Sequence, residues 1–477
     1  MIRFTNTLGH KVEEFKAIHE GEVRMYTCGP TVWNYPHIGN YRTFLFEDLL
    51  RRVLEYIGFK VTQVMNLTDV DDRIIKICKE NNYDLNEFTE KYANAFFDDL
   101  NFLGIRRAEF YPRATENIPE MVTIIEGLMR KGIAYRSEDG SIYYSIAKFP
   151  SYGQLSGIKK DELKAGARVR QDDYSKDSAE DFALWKAWDE QDGKIYWDTS
   201  LGRGRPGWHI ECSAMSMKYL GEQFDIHTGG VDNIFPHHEN EIAQSEGFTG
   251  KKFVNYWLHS EHLLVNEAKM AKRLGNFVTV PEIRERGIDG KTLRFLLLSG
   301  HYRAQLNFTE KSLEQAASSV KRINEFVNRL KETLALGASD NGTMESPIME
   351  LVELTRKNYV VALENDLETP QALATVFEFI NQGNRFLDLG ASSYYGIRSM
   401  LDFMTKDFDV IFGAIYDAQS ESAMSEQQSK WLAEREVARA SKDWPKSDEL
   451  RNRLLESGIE VQDTPQGQKW RRVKSLK

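Results

Sequence analysis

Between residues 23 and 67 the apolar pattern changes period twice, and this change restricts the fold more than any other feature of the chain. Residues 23–28 form a short apolar run that reads as a buried strand. Residues 41–57 then place Phe44, Leu45, Leu49, Leu50, Val53, Leu54 and Ile57 at helical spacing. Residues 60–67 form a second strand-like run that ends at Thr68-Asp69. Strand, helix and strand at this length make a βαβ unit. In sheets built from such units, ligands bind at the carboxyl ends of the strands. Cys28 and Thr68 both fall at those ends, so the pattern locates a cleft before any chemistry is assigned.

Two distant segments suggest what the cleft holds. His37-Ile38-Gly39-Asn40 opens the helix, and Lys269-Met270-Ala271-Lys272-Arg273 reads as a loop. A histidine at a helix start and two lysines three apart can grip phosphates and stabilise a departing pyrophosphate. Gly39 lets a nucleotide come close to the backbone. Gly229 and Gly230, in His227-Thr228-Gly229-Gly230-Val231-Asp232, suit a flat ligand such as adenine with its ribose. Asp232 would accept a hydrogen bond from the ribose or from a substrate amino group.

The same stretches carry metal-ligand chemistry. His237 and Glu241 are four apart and share a helical face. His238, three from Glu241, faces a similar direction, and spacing alone leaves both open. Cys28 and Cys212 could complete a set of two thiolates, one imidazole and one carboxylate, which suits zinc. Either cysteine could equally be a small buried hydrophobe, the reading we give Cys78.

Residues 118–204 break the α/β rhythm, with a helix near 120–131, a hairpin at 134–145 and a charged stretch at 159–186. We read this as an insertion between two halves of a Rossmann-like domain, 1–117 and 205–262. Residues 263–309 form a connecting region and 310–417 a helical bundle with a loop at 339–344. A polar linker at 418–428 leads into a small α+β module, 425–477. That module ends with Lys469, Arg471, Arg472, Lys474 and Lys477, and holds Trp444 and Trp470 among polar residues. Aromatic rings and cations of this kind suit unpaired RNA. The net charge of −10 argues against a uniformly basic coat but leaves room for a local basic face. Three cysteines make no disulfide framework and fit a reducing compartment. No signal-peptide core or membrane-length apolar run is present.

Residues 26–40, 66–73 (NLTDVDDR), 207–215 (GWHIECSAM), 224–241, 269–277 and 443–472 resemble the cysteinyl-tRNA synthetases, a class I family, in the family's order and over nearly the whole chain. The resemblance implies activation of L-cysteine by ATP with Mg2+, then transfer to tRNA(Cys), by a monomer in the cytoplasm. It implies one zinc ion per chain on Cys28, Cys212, His237 (the first of the histidine pair) and Glu241. Zinc would select a thiolate substrate by ligand softness, and the insertion is too short for an editing domain. The resemblance gives catalytic roles to His37, Lys269 and Lys272, and ATP contacts also to Gly39, Asn40, Gly229, Gly230 and Asp232. Gly29, Thr68, Trp208 and Asp232 would bind cysteine, with His209 close by in sequence. Arg439, Trp444, Asp448 and Asp463 would read the anticodon. Two departures stand out: Asn40 replaces the second histidine of the first motif, and Ala271 and Arg273 replace the serines of the lysine loop. Two other readings are a cysteine ligase with a non-tRNA amine acceptor and an RNA-binding paralogue with altered catalysis.

Overall fold

The structure is a computed structural model. It describes residues 1–158, 181–270, 275–339, 344–416, 426–441, 443–457, 459–464 and 467–472. Two compact units divide the chain at residue 415.

The core of the first unit is a parallel sheet. Its strand order is Val254–Ser260, Phe224–Gly230, Glu22–Thr27 and Lys60–Met65. The βαβ expectation holds, with helix Ile38–Tyr56 crossing between Glu22–Thr27 and Lys60–Met65. This helix starts three residues before its apolar stripe. His37 Nδ1 accepts a hydrogen bond from the Asn40 backbone N–H at 3.1 Å, and Asn40 Oδ1 accepts from the His37 N–H at 3.1 Å. This reciprocal pair is a capping box that satisfies two donors at the helix end. Two strands from opposite sides of the insertion lie side by side, with Thr27 opposite Thr228. All four carboxyl ends therefore meet along one edge.

The insertion contains more sheet than its sequence announces. Helix Ile118–Arg130 is followed by an antiparallel sheet ordered Ala134–Arg136, Ile142–Tyr144, Phe182–Ala187, Gly202–Pro206 and Trp197–Thr199. Most of the charged stretch, residues 159–180, lies outside the described residues. Helix Trp208–Leu220 then returns the chain to the parallel sheet.

Helices Glu310–Ala335, Glu345–Glu364, Thr369–Asp388 and Tyr394–Asp402 form the expected bundle. A buried ion cluster ties it to the catalytic part. Asp48, on the crossover helix, meets Arg52 Nε and an Arg294 guanidinium nitrogen at 2.7 Å each. Arg52 and Arg294 in turn donate to the Val410 and Phe412 carbonyls.

The second unit has helices Glu426–Ala440 and Trp444–Glu456, then the antiparallel pair Ile459–Thr464 and Gly467–Arg472. Leu454, Ile459 and Val461 form its small core, with Trp431 and Leu432 against them.

Candidate active site and metal centre

One atom each from Cys28, Cys212, His237 and Glu241 lie within 4.8 Å of one another. Each arrives on a different structural feature. Cys28 ends strand Glu22–Thr27, and its N–H donates to the Thr228 carbonyl at 3.3 Å. Cys212 sits in helix Trp208–Leu220, while His237 precedes helix Glu239–Thr249, which carries Glu241. Phe235 is extended (φ −137°, ψ 131°), which turns the chain between Asp232 and the helix.

Outer contacts orient these groups. His237 Nδ1 faces His209 Nδ1 at 2.9 Å, so its Nε2 points at Glu241 Oε1, 3.1 Å away. The Trp208 indole stacks on His237 with centroids 4.3 Å apart. His227 Nε2 lies 2.9 Å from Glu241 Oε2. Metal-binding imidazoles and carboxylates are commonly fixed by such second partners. His238 is near as well: its Nε2 is 3.3 Å from Cys28 Sγ and its Nδ1 is 2.8 Å from His259 Nε2. Cys28, His227, His238 and Glu241 form a second, overlapping set of possible donors.

Burial sets the protonation of this cluster. It holds His209, His227, His237 and His259 down to about 3, so these imidazoles are neutral. It pushes Glu241 up to about 8, although His237 pulls the other way. The neighbouring Cys212 and burial raise Cys28 well above the usual thiol range. The hydrogen bond with Cys28 works to lower Cys212, but burial and Glu241 outweigh it and raise the thiol. Glu241 Oε1 is buried and accepts no well-aligned hydrogen bond, although His237 Nε2 stands 3.1 Å from it. An orphan carboxylate oxygen, two thiols and a neutral imidazole fit a borderline-soft divalent cation, whose charge would reverse these shifts.

A cavity of about 280 Å³ runs from Cys28 to the nucleotide motifs. Its walls bring together the predicted Gly29, His37, Gly39, Asn40, Trp208, Gly230, Asp232 and Lys269. Burial lowers the His37 pKa, which keeps its imidazole neutral. Since Nδ1 accepts from the backbone, Nε2 carries the proton and can donate. The Lys269 ammonium meets Asp232 Oδ1 at 3.0 Å. Lys272, with Ala271 and Arg273, lies outside the described residues. A larger groove of about 830 Å³ lies between Tyr83 and Trp197, but Asp69, Asp84, Glu90 and Glu116 outnumber Arg113 and Lys194 along it. That balance repels a triphosphate.

Other predicted residues lie elsewhere. The Thr68 hydroxyl is buried, donates to Glu211 Oε2 at 3.1 Å and accepts from Asn66 Nδ2 at 3.1 Å, away from the cavity wall. A Cβ on Gly229 would stand 2.8 Å from His238 Cε1, so this glycine makes room for an imidazole. A Cβ on Gly29 would fall 1.8 Å from the Asn66 carbonyl oxygen, so here the backbone itself passes close by. The sequence motifs do not single out His262, which lines the same cavity. His262 follows a strand's carboxyl end, and that rule alone would have found it.

In the second unit, Arg439 pairs with Asp463 at 2.9 Å, and its guanidinium lies 5.8 Å from the Trp444 ring centroid. Buried Arg435 grips both Asp463 oxygens at 3.0 Å, and its hydrogen bonds lower the Asp463 pKa. Trp444 and Asp448 are exposed.

Residues 14–318 match the family model for the class I (C) tRNA synthetase catalytic domain. Residues 421–471 match the cysteinyl-tRNA ligase anticodon binding domain. A cysteine–tRNA ligase of Brachyspira hyodysenteriae is 46% identical over 474 residues, covering 99% of each chain. One of Protochlamydia amoebophila is 46% identical over 470 residues, covering 98% of this chain and 97% of the relative. The fold is similar to Mycobacterium tuberculosis methionyl-tRNA synthetase in complex with methionyl-adenylate, with TM-score 0.60, 10% identity, and coverage of 82% of this chain and 90% of that one. It is also similar to the Agrobacterium radiobacter LeuRS–tRNA–LeuAMS complex, with TM-score 0.61, 11% identity, and coverage of 84% and 85%. With both catalytic and anticodon-binding models matched and full-length relatives at this identity, the chain belongs to the cysteinyl-tRNA synthetase family of class I aminoacyl-tRNA synthetases.

Proposed function

We propose that the protein activates L-cysteine with ATP and transfers it to tRNA(Cys). The observation that carries this reading is one cavity that reaches Cys28, a member of the buried thiol, imidazole and carboxylate cluster, and is lined further on by His37 and Lys269. Cys28, Cys212, His237 and Glu241 would hold one zinc ion, which supplies a soft Lewis-acid site for the substrate's sulfur. Trp208 walls the amino-acid end, and Asp232 accepts from the amino group or the ribose. The cysteine carboxylate forms a bond to the α-phosphorus of ATP as the α–β phosphoanhydride bond breaks. His37 Nε2–H donates to phosphate oxygens, and Lys269 and Lys272 stabilise the departing pyrophosphate, with Mg2+ accompanying ATP. A hydroxyl of the tRNA's terminal ribose then attacks the adenylate carbonyl and releases AMP. Positioning and electrostatics supply the acceleration, and no side-chain nucleophile is required.

Arg439, Trp444, Asp448 and Asp463 would meet the anticodon, with Asp463 also holding Arg439 in place. The match to an anticodon-binding domain argues against a non-tRNA acceptor. The cavity's retention of His37 and Lys269 argues against a catalytically silent paralogue. No helix among the described residues is long and apolar enough to cross a membrane. A monomer in the cytoplasm completes the proposal. Cysteine-dependent ATP–pyrophosphate exchange followed by charging of tRNA with a GCA anticodon tests it. Exchange driven equally by serine, or no charging, would overturn it.

A further inference from the structure

We propose that His262 is a positioning residue of the activation site, one that takes over Asp232 when Lys269 leaves that carboxylate for the phosphates of ATP. This inference rests on the activation reading above and adds a residue that none of the motifs contains. Three polar atoms form a triangle on the cavity wall. Lys269 Nζ lies 3.0 Å from Asp232 Oδ1. His262 Nε2 lies 3.4 Å from the same Oδ1 and 3.4 Å from Lys269 Nζ. The ion pair is exposed, with 62% and 64% of the two side chains accessible, whereas His262 is 27% accessible and held among the cavity walls.

The geometry creates a need that the imidazole meets. An exposed Lys–Asp pair is worth little, so a triphosphate can draw the ammonium away. Asp232 then loses its cation just as negative charge enters the cavity. A neutral imidazole has one donor nitrogen and one acceptor nitrogen, and the tautomer decides which is which. With the proton on Nδ1, Nε2 accepts from Lys269. With the proton on Nε2, it donates to Asp232. Exchange between the two needs no net uptake of a proton, and both distances are at the long limit of a hydrogen bond. His262 thus serves the lysine before transfer and the carboxylate during it, keeping Asp232 aimed at the substrate. A misaimed group can cost far more rate than affinity.

The test is cysteine-dependent ATP–pyrophosphate exchange by the full chain. His262→Leu should lower kcat about tenfold and change KM for ATP by about twofold or less, the signature of an interaction made as the reaction proceeds. His262→Gln, whose amide both donates and accepts, should return kcat to within about threefold of wild type. In an Asp232→Asn background, His262→Leu should cost about twofold or less, because the group it serves has lost its charge. Equal activity of His262→Leu and wild type would overturn the inference, as would equal losses in the Leu and Gln variants or full multiplicative loss in the Asn background. A wild-type enzyme without cysteine-dependent exchange would instead overturn the activation reading itself.

Discussion

A methyl group added at Gly39 would meet Met270 Cε at 2.7 Å and the His37 ring at 3.0 Å. One glycine thus keeps His37 and Met270, at the base of the lysine loop, in register. Gly39→Ala should slow pyrophosphate exchange by roughly 10-fold or more through displacement of His37, with correct folding shown by an unchanged unfolding midpoint. Cys212→Ser should reduce bound zinc, measured by metal analysis, and weaken cysteine activation far more than any residual serine activation. Zinc-free active wild-type protein would contradict that expectation. The motif segments made much of this cleft legible, because their residues lie at strand ends. Contacts between distant side chains were not legible. Asn40 looked in sequence like a lost histidine, yet it completes the cap on His37. The Thr68 hydroxyl, which the resemblance assigns to cysteine binding, also donates to Glu211. Gly229, which the resemblance assigns to ATP binding, also accommodates His238. The first is a capping contact three residues away, whereas the other two depend on a neighbour that no local pattern reveals.

Helix Ile38–Tyr56 shows what an element must satisfy when its polar residues are buried. Burial acts to raise the Asp48 pKa, but the guanidiniums of Arg294 and Arg52 outweigh it and hold the carboxyl below its ordinary value. The folded-state pKa is therefore depressed. Its contribution to stability is complete above the unfolded-state value of about 4 and is lost as pH falls through the folded value. Thermal melts should show a midpoint that declines below about pH 4, with a weaker decline in Asp48→Asn. Asp48→Ala should destabilise the protein by about 3–5 kcal/mol in urea unfolding, since it leaves the Arg294 charge buried without its partner. Long helices and the central strands were readable from their periods. The insertion's sheet was not, for physical reasons. Trp197–Thr199 is too short to show alternation, and Gly202–Pro206, with the sequence GRGRP, has the composition of a turn.

Across the whole molecule, the residues proposed for adenylation lie in the first 280 positions, whereas the anticodon-binding match begins at residue 421. Truncation near residue 420 should leave cysteine-dependent pyrophosphate exchange largely intact. Charging of tRNA should fall steeply, since stacking and base contacts are worth roughly 1–3 kcal/mol each. Undiminished charging by the truncated chain would remove the anticodon role from this unit. The side-by-side pairing of Glu22–Thr27 with Phe224–Gly230 carries a consequence for biosynthesis. The first of these strands leaves the ribosome about 200 residues before its partner. At roughly 5–20 residues per second, it waits on the order of 10–40 s for its neighbour. Cys28 must remain reduced throughout that interval, because Cys212, His237 and Glu241 emerge only at its end. Loading of the proposed metal ion would therefore be a late event on the nascent chain.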